Sequence, residues 1–223
     1  FVDMEGGVKT EADLVARYRT MSLVPECDSA IDDIVNESIS SNDLDAPVAI
    51  NLDRVNHFSD SIKEKVRNEF NVVLELLGFR ELSHDIFRKW YVDGRLYFHK
   101  MVDSKNENKG IQGLRPIDPQ KIRKIREIKK KKDEKTNVEI IQKETEYFLY
   151  NDEGFDKTGN NTGQTVRISS DAVTHVTSGL LDYNQKVVVG YLHKAMKSVN
   201  QLRMLEDALV IYRISRAPER RIF

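Results

Sequence analysis

The sequence has one cysteine, five prolines and no long apolar run. Cys27 has no second cysteine with which to form an intrachain disulfide, which suits a reducing cytosol. No apolar stretch approaches the roughly 18 residues that indicate a membrane-spanning helix. The first residues lack the basic and apolar segments of a signal peptide. We therefore expect a protein that is neither secreted nor membrane-spanning, and a chain that is a piece of a longer protein, since it begins at Phe1 and ends at Phe223 within a motif.

Patterns that support catalysis or metal binding are also missing. The five histidines are scattered, and no two stand at metal-ligand spacing. Ser83-His84-Asp85 holds three triad residue types, but a catalytic triad is assembled from separate segments, and we expect a helix cap there. Three loop glycines lack the Lys-Ser/Thr pair of a P-loop. We expect no enzyme, no catalytic residue, no cofactor and no metal site.

Charge is balanced over the whole chain but uneven along it. The net charge is −1, with nine acidic residues and one arginine from Glu26 to Asp60, and nine basic and three acidic residues from Lys121 to Lys135. Such blocks usually lie on solvated surfaces, although the basic block is also the best nucleic-acid candidate by composition. A protein that grips DNA tightly would carry a larger excess of Lys and Arg.

Helical patterns fill the first part of the chain. Thr10 is expected to cap a first helix, and Pro25 stands where the first residue of a second helix would, with that helix running to Ile39. A third helix is predicted from Ser59 or Asp60 to Gly78. A fourth is predicted from Ser83 to Val92, burying Ile86, Phe87 and Trp90. Pro47–Leu52 is predicted as a short strand.

Strand patterns follow the helices. The predicted strands are Arg95–Met101, Ile111–Ile117, Ile125–Lys132, Val138–Lys143, Thr145–Asn151, Thr165–Ser169 and Val173–Ser178. Helices followed by short strands and then a long helix predict the α+β class.

The last part of the chain predicts one long helix with an exposed apolar surface. If it begins near Val187 and tolerates Gly190, it is about 43 Å long. Apolar residues at spacings of three and four lie on one face: Val188, Leu192, Ala195, Val199, Leu202, Leu205, Leu209 and Tyr212. Ala208–Tyr212 is apolar almost all round, so neighbours are needed on several sides. The predicted subunit-interface residues are Leu202, Leu205, Glu206, Leu209, Tyr212 and Arg213, with Glu206 or Asp207 paired to a neighbour's Arg203 or Arg213.

This stretch resembles the portal proteins of T-even-like contractile-tailed bacteriophages. The resemblance is carried by Gln201–Arg213 and Arg216–Arg221, with weaker support from Leu114–Pro119 and Asp171–Gly179. It implies a wing region at residues 1–185, with helices over 10–92 and a β-rich part over 95–178. A stem helix would occupy residues 186–216, and the clip region would begin at 217–223.

The resemblance also implies the function. Such proteins form a ring, usually of twelve subunits, at the unique capsid vertex of the virion, and conduct double-stranded DNA during packaging and ejection. The implied partners are the terminase large subunit, the major capsid and scaffold proteins, the neck and tail-completion proteins, and double-stranded DNA that passes through the channel without sequence specificity. The ring would nucleate head assembly in the host cytoplasm, with the inner membrane face as a further option. Lys194, Lys197 and Arg203 are the DNA-channel candidates.

Two alternatives from other classes stay open. One is a non-phage interaction scaffold whose last helix forms a coiled coil through Leu202, Leu205, Leu209 and Tyr212. The other is a metal-dependent nuclease that uses the acidic helix carrying Asp28, Asp32, Asp33 and Glu37. A helix surface explains those acidic residues better than a metal cluster does, and we expect that explanation.

Overall fold

Along the described residues, four α-helices come first, six strands follow, and a fifth α-helix comes last. The computed structural model describes residues 10–39, 48–55, 57–103, 105–106, 109–132, 139–155, 164–182 and 187–216, without the side chains of residues 129–144. The helices are α1 (Glu11–Ser22), α2 (Pro25–Ser38), α3 (Asp60–Leu76), α4 (Phe79–Asp93) and α5 (Met196–Arg216). The strands are β1 (Arg95–Val102), β2 (Ile111–Ile117), β3 (Ile122–Lys132), β4 (Glu139–Asn151), β5 (Thr165–Ser169) and β6 (Val173–Thr177). The mixed content confirms the predicted α+β class.

The starts of the first two helices follow the predicted signals. The Thr10 side chain accepts a hydrogen bond from the amide of Asp13, as an N-cap residue does. Pro25 occupies the first position of α2, where its missing N–H costs no hydrogen bond. Both predictions are confirmed.

The predicted start of the fourth helix was wrong. Gly78 has a left-handed backbone (φ 59°), which allows α4 to begin at Phe79 directly after the end of α3. Ser83 therefore lies inside the helix, where it is buried, and does not cap it. Ile86, Phe87 and Trp90 are half-buried instead of buried.

Two small antiparallel sheets make up the β-rich part. One has the strand order β2-β1-β6 and the other β3-β4-β5. The predicted strands Val138–Lys143 and Thr145–Asn151 are one strand, β4, over Glu139–Asn151, because a shift in register between Lys129 and Lys130 lets its pairing with β3 continue. Val138 lies outside the described residues. β3 starts at Ile122, earlier than expected, because that side chain belongs to the core.

The predicted strand at Pro47–Leu52 is also wrong for the part that the structure describes. Residues 48–52 form no strand, and Pro47 lies outside the described residues. The amide of Asp53 binds the side-chain oxygen of Asn51, which closes a local turn instead of a ladder. Leu52 is buried although it belongs to no strand.

α5 begins at Met196 and not near Val187. Val188 pairs with Leu181 as an isolated antiparallel bridge, and the Val189 amide binds the Leu180 carbonyl. A short 3-10 helix, Tyr191–Ala195, then leads into α5. Val188, Leu192 and Ala195 are therefore not on the α-helix, whose 21 residues span roughly 31 Å.

Two hydrophobic cores hold these elements together. The helical core contains Leu14, Tyr18, Met21, Ile31, Val35, Val92 and Leu192, with Met196 and Val199 at its edge. The second core lies in the β-rich part and contains Tyr97, Ile122, Phe148 and Val173. The helical core includes only the first turn of α5, so the rest of that helix extends beyond it.

Candidate subunit interface

α5 is exposed along almost its whole length. It has no buried residue, and every residue from Gln201 to Arg216 is exposed. Eight of these are large apolar side chains: Leu202 (38% exposed), Met204, Leu205 (69%), Leu209 (52%), Val210, Ile211, Tyr212 (51%) and Ile214. An exposed apolar surface of this kind marks an interaction site.

The predicted interface residues share one face of α5. Leu202, Leu205, Leu209 and Tyr212 are three, four and three residues apart, which keeps them within one stripe of a helix with 3.6 residues per turn. Glu206 and Arg213 border that stripe. The structure thus gives these six residues a common exposed face, and their contact with another subunit stays a prediction.

The rest of the apolar surface lies outside that stripe. Met204, Ile211 and Ile214 are 58%, 67% and 68% exposed and project from other sides of the helix. The prediction included Ile211 only within the segment Ala208–Tyr212 and left out Met204 and Ile214. The sequence feature that could have identified these two residues is a large apolar side chain outside the main stripe. A single partner helix cannot cover all of these side chains.

The charged residues of α5 have no ion-pair partner within the described part of the subunit. This holds for Arg203, Glu206, Asp207 and Arg213. Arg216 lies over the ring of Tyr212, 4.4 Å from its centroid. The acidic and basic side chains of α5 are therefore left for partners outside the subunit or for solvent.

The DNA-channel candidates are all exposed but do not lie on one face. Lys194 belongs to the 3-10 helix before α5, Lys197 to the first turn of α5, and Arg203 to its second. Lys197 and Arg203 are six residues apart, which separates them by about 120° around the helix. The structure therefore does not bring these three residues together within one subunit.

The acidic residues of α2 bind a protein cation. Arg88 of α4 forms ion pairs with both Asp28 and Asp32, which are the right distance apart to share one helix face. Asp33 and Glu37 are exposed on the same helix. The described residues include no group of His, Cys, Asp or Glu side chains placed to hold a metal ion.

The Ser83-His84-Asp85 triplet is spread around α4. Ser83 is buried and Asp85 forms an ion pair with Lys89 one turn further on, at 2.6 Å. A cavity of about 280 Å³ lies between α1 and β3, but its one carboxylate, Glu11, is already paired with Arg95. None of the described helices is both long and apolar enough to cross a bilayer.

These features define a class of protein. A helix that is attached by its first turn and exposes apolar side chains on several sides belongs to a subunit of a larger assembly.

Comparison with known proteins makes that class specific. The family model described as "Bacteriophage T4-like portal protein (Gp20)" matches residues 11–223. The portal protein of Vibrio phage KVP40 is 41% identical over 218 residues, which cover 95% of this chain and 42% of that protein. The portal protein of Salmonella phage ViI is 33% identical over 233 residues, which cover 100% of this chain and 41% of that protein.

The chain belongs to the T4-like portal protein family. The resemblance seen in the sequence is thereby confirmed, as is the prediction that it is not an enzyme, because a portal protein is a structural component of the phage. The chain spans about two-fifths of the length of these curated relatives.

Proposed function

We propose that this chain is the wing and stem part of a portal subunit, in a ring usually of twelve copies at the unique capsid vertex. The observation that carries the proposal is the exposed apolar surface of α5, together with membership of the portal family. Head-to-tail contacts close a ring when each copy presents two different surfaces to its two neighbours. The several apolar sides of α5 supply more than one such surface.

In this proposal α5 is the stem helix and lies beside the channel through which double-stranded DNA is packaged and ejected. Lys194, Lys197 and Arg203 contribute a few positive charges per subunit, repeated by symmetry. Sparse charges give weak phosphate contacts that a sliding duplex can exchange. The different directions of Lys197 and Arg203 fit this role best if only one of them faces the channel and the other faces a neighbouring subunit.

The proposed partners follow from the same role. The ring docks the terminase large subunit during packaging and the neck and tail-completion proteins afterwards. It contacts the major capsid and scaffold proteins while it nucleates head assembly in the host cytoplasm or at the inner membrane face. In the finished virion it lies at the portal vertex.

The mass of the assembled full-length protein tests the proposal against its main alternative. Native mass spectrometry should find a closed ring near twelve copies. A scaffold that pairs through a coiled coil of Leu202, Leu205, Leu209 and Tyr212 would give a dimer or trimer instead. A dimer or trimer at physiological salt would contradict the portal assignment of α5.

Leu209→Asp tests the interface directly. Leu209 is 52% exposed in the isolated subunit, so the substitution should leave the fold intact. At a packed seam the buried charge costs several kcal/mol per contact, which should remove rings. Ser198→Asp is the control, because it adds the same charge in the first turn, where the helix dipole favours it. Rings of normal yield from Leu209→Asp would contradict the proposed interface.

A further inference from the structure

One tyrosine connects α1 to the segment that leads into α5. The Tyr18 side chain is fully buried, and its hydroxyl accepts a hydrogen bond from the Gly190 amide at 3.3 Å. The same hydroxyl lies 2.9 Å from Nδ1 of His193, in the 3-10 helix just before α5. Burial raises the pKa of Tyr18, so the hydroxyl stays neutral in its contacts with Gly190 and His193.

The backbone around Gly190 leaves almost no free space. A Cβ atom at Gly190 would lie 3.1 Å from the Tyr18 ring and 3.2 Å from the Val92 carbonyl oxygen. On the other side, a Cβ atom at Gly94 would lie 2.6 Å from the Gly190 Cα atom. The end of α4, the ring of Tyr18 and the start of the α5 segment therefore meet at van der Waals contact.

Further contacts fix the same segment from β1, from the residue after β6 and from a second residue of α4. Arg95 at the start of β1 donates to the Val188 carbonyl and pairs with Glu11 of α1 at 2.6 Å. The Ser178 hydroxyl after β6 donates to the Val189 carbonyl at 2.6 Å. Tyr191 stacks on Tyr91 of α4, with ring centroids 5.1 Å apart and planes 3° apart. We call these contacts around Val188–His193 the α5 joint.

A small change of direction at the α5 joint displaces the far end of α5 much more than its base. Among the described residues, the part of α5 that packs against the helical core is its first turn, with Met196 and Val199. A change of about 2° at the base of a helix roughly 31 Å long moves its far end by about 1 Å. A ring of twelve copies turns by about 30° at each subunit, and a ring of thirteen by about 28°. The rotation per subunit thus differs by only about 2° between the two ring sizes, which is as small as that change in direction at the base of α5.

We propose that Tyr18 and Gly190 are positioning residues that fix the direction of α5, and that this direction selects the number of copies that close the ring. The inference rests on the proposed portal role of the chain. It assigns the choice of ring size to a site inside the subunit, away from the surfaces that touch in the ring. A substitution that loosens or displaces the α5 joint should therefore change the ring size without removing the contacts between copies.

Two substitutions in the full-length protein test this proposal. Gly190→Ala adds one methyl group that must displace the Tyr18 ring or the α4 end by a few tenths of an ångström. Tyr18→Phe keeps the buried ring and removes only the hydroxyl that binds Gly190 and His193. The matched controls are Gly113→Ala, whose Cβ would meet only Met101 at 3.7 Å, and Tyr150→Phe, whose hydroxyl binds Asp152 at the surface.

The readout is the distribution of ring sizes by native mass spectrometry, with circular dichroism to confirm the fold. Folded Gly190→Ala or Tyr18→Phe protein should give rings whose main size shifts by one or more copies, or a mixture of sizes. Both controls should keep the single size of the unsubstituted protein. If Gly190→Ala fails to fold, Tyr18→Phe decides. An unchanged single ring size for folded Tyr18→Phe overturns the inference about the joint, whereas absence of rings from the unsubstituted protein overturns the proposed function itself.

Discussion

His175 is a histidine held between the two sheets. Its ring stacks on Tyr97, with centroids 4.3 Å apart and planes 5° apart, and it meets the Phe148 ring edge-on. Its Nε2 atom is buried and has no hydrogen-bond partner within the described structure. Burial lowers the pKa of His175 to about 4, with smaller contributions from the charges of Arg95 and Lys124.

The low pKa of His175 predicts a loss of stability in weak acid. The unfolded chain binds a proton at His175 near pH 6.5, whereas the folded chain does so only near pH 4. The contribution is therefore fully present above about pH 6.5 and is lost as the pH falls toward 4. Between pH 7 and pH 5 the free energy of unfolding should fall by up to about 2 kcal/mol from this residue alone.

The measurement is urea unfolding at both pH values. His175→Phe keeps an aromatic ring between Tyr97 and Phe148 and should reduce the loss between pH 7 and pH 5. His84→Gln, at an exposed histidine of α4, should leave that loss as it is. An equal loss in His175→Phe and in the unsubstituted chain would show that other groups cause the pH dependence.

At the scale of elements, the ends of α4 decide how the helices meet the sheets. Gly78 and Gly94 both have left-handed backbones, with φ of 59° and 70°, so α4 is entered and left by sharp turns. The second turn brings β1 under the end of α4 and places Arg95 against Glu11 and Val188. The turn also makes room for the close approach of Gly190.

Gly94→Ala should be far more damaging than backbone strain alone explains. Gly179 has a similar backbone (φ 76°) with nothing within 4 Å of its would-be Cβ atom, so Gly179→Ala should cost only about 1–2 kcal/mol of strain. Gly94→Ala adds a clash with the Gly190 backbone at 2.6 Å and should cost about 1–3 kcal/mol more. Melting temperatures of the two variants measure the difference, and similar melting temperatures would contradict the tight crossing of Gly94 and Gly190.

At the scale of the whole molecule, net charge distinguishes a DNA conduit from a protein that binds DNA tightly. The chain carries a net charge of −1, with 35 Lys and Arg against 36 Asp and Glu. In the proposed ring, such subunits would surround DNA without a large excess of positive charge. The few exposed cations near the start of α5 are consistent with weak contacts only.

We predict that isolated full-length rings bind short duplexes weakly, and that moderate salt removes this binding. Lys197→Ala and Arg203→Ala are each introduced in every subunit, and the substitution of whichever residue faces the channel should change the packaging rate modestly without stopping packaging, because it removes one exchangeable contact per copy. The assay uses purified motor and heads, with Lys89→Ala on α4 as a control outside α5. Duplex binding that persists at moderate salt would favour a DNA-anchoring protein over a conduit.

The sequence by itself determined the local features of this protein. Thr10 and Pro25 mark the first two helix starts, and the alternating segments mark most of the strands, because caps and side-chain periodicity depend only on neighbouring residues. The exposed stripe of α5 was also predictable, since spacings of three and four place Leu202, Leu205 and Leu209 on one face. The portal resemblance depended on this same stretch.

Only the tertiary structure decided what happens where distant segments meet. α5 begins at Met196 because Val188 pairs with Leu181 and Gly190 fits beneath Tyr18, and that tyrosine is 172 residues away. Asp28 and Asp32 form ion pairs with Arg88 of another helix, and no local sequence pattern predicts that pairing. Such contacts depend on how the helices and sheets pack in three dimensions. Residue spacing cannot predict that packing, because it determines only which neighbouring residues share a helix or strand face.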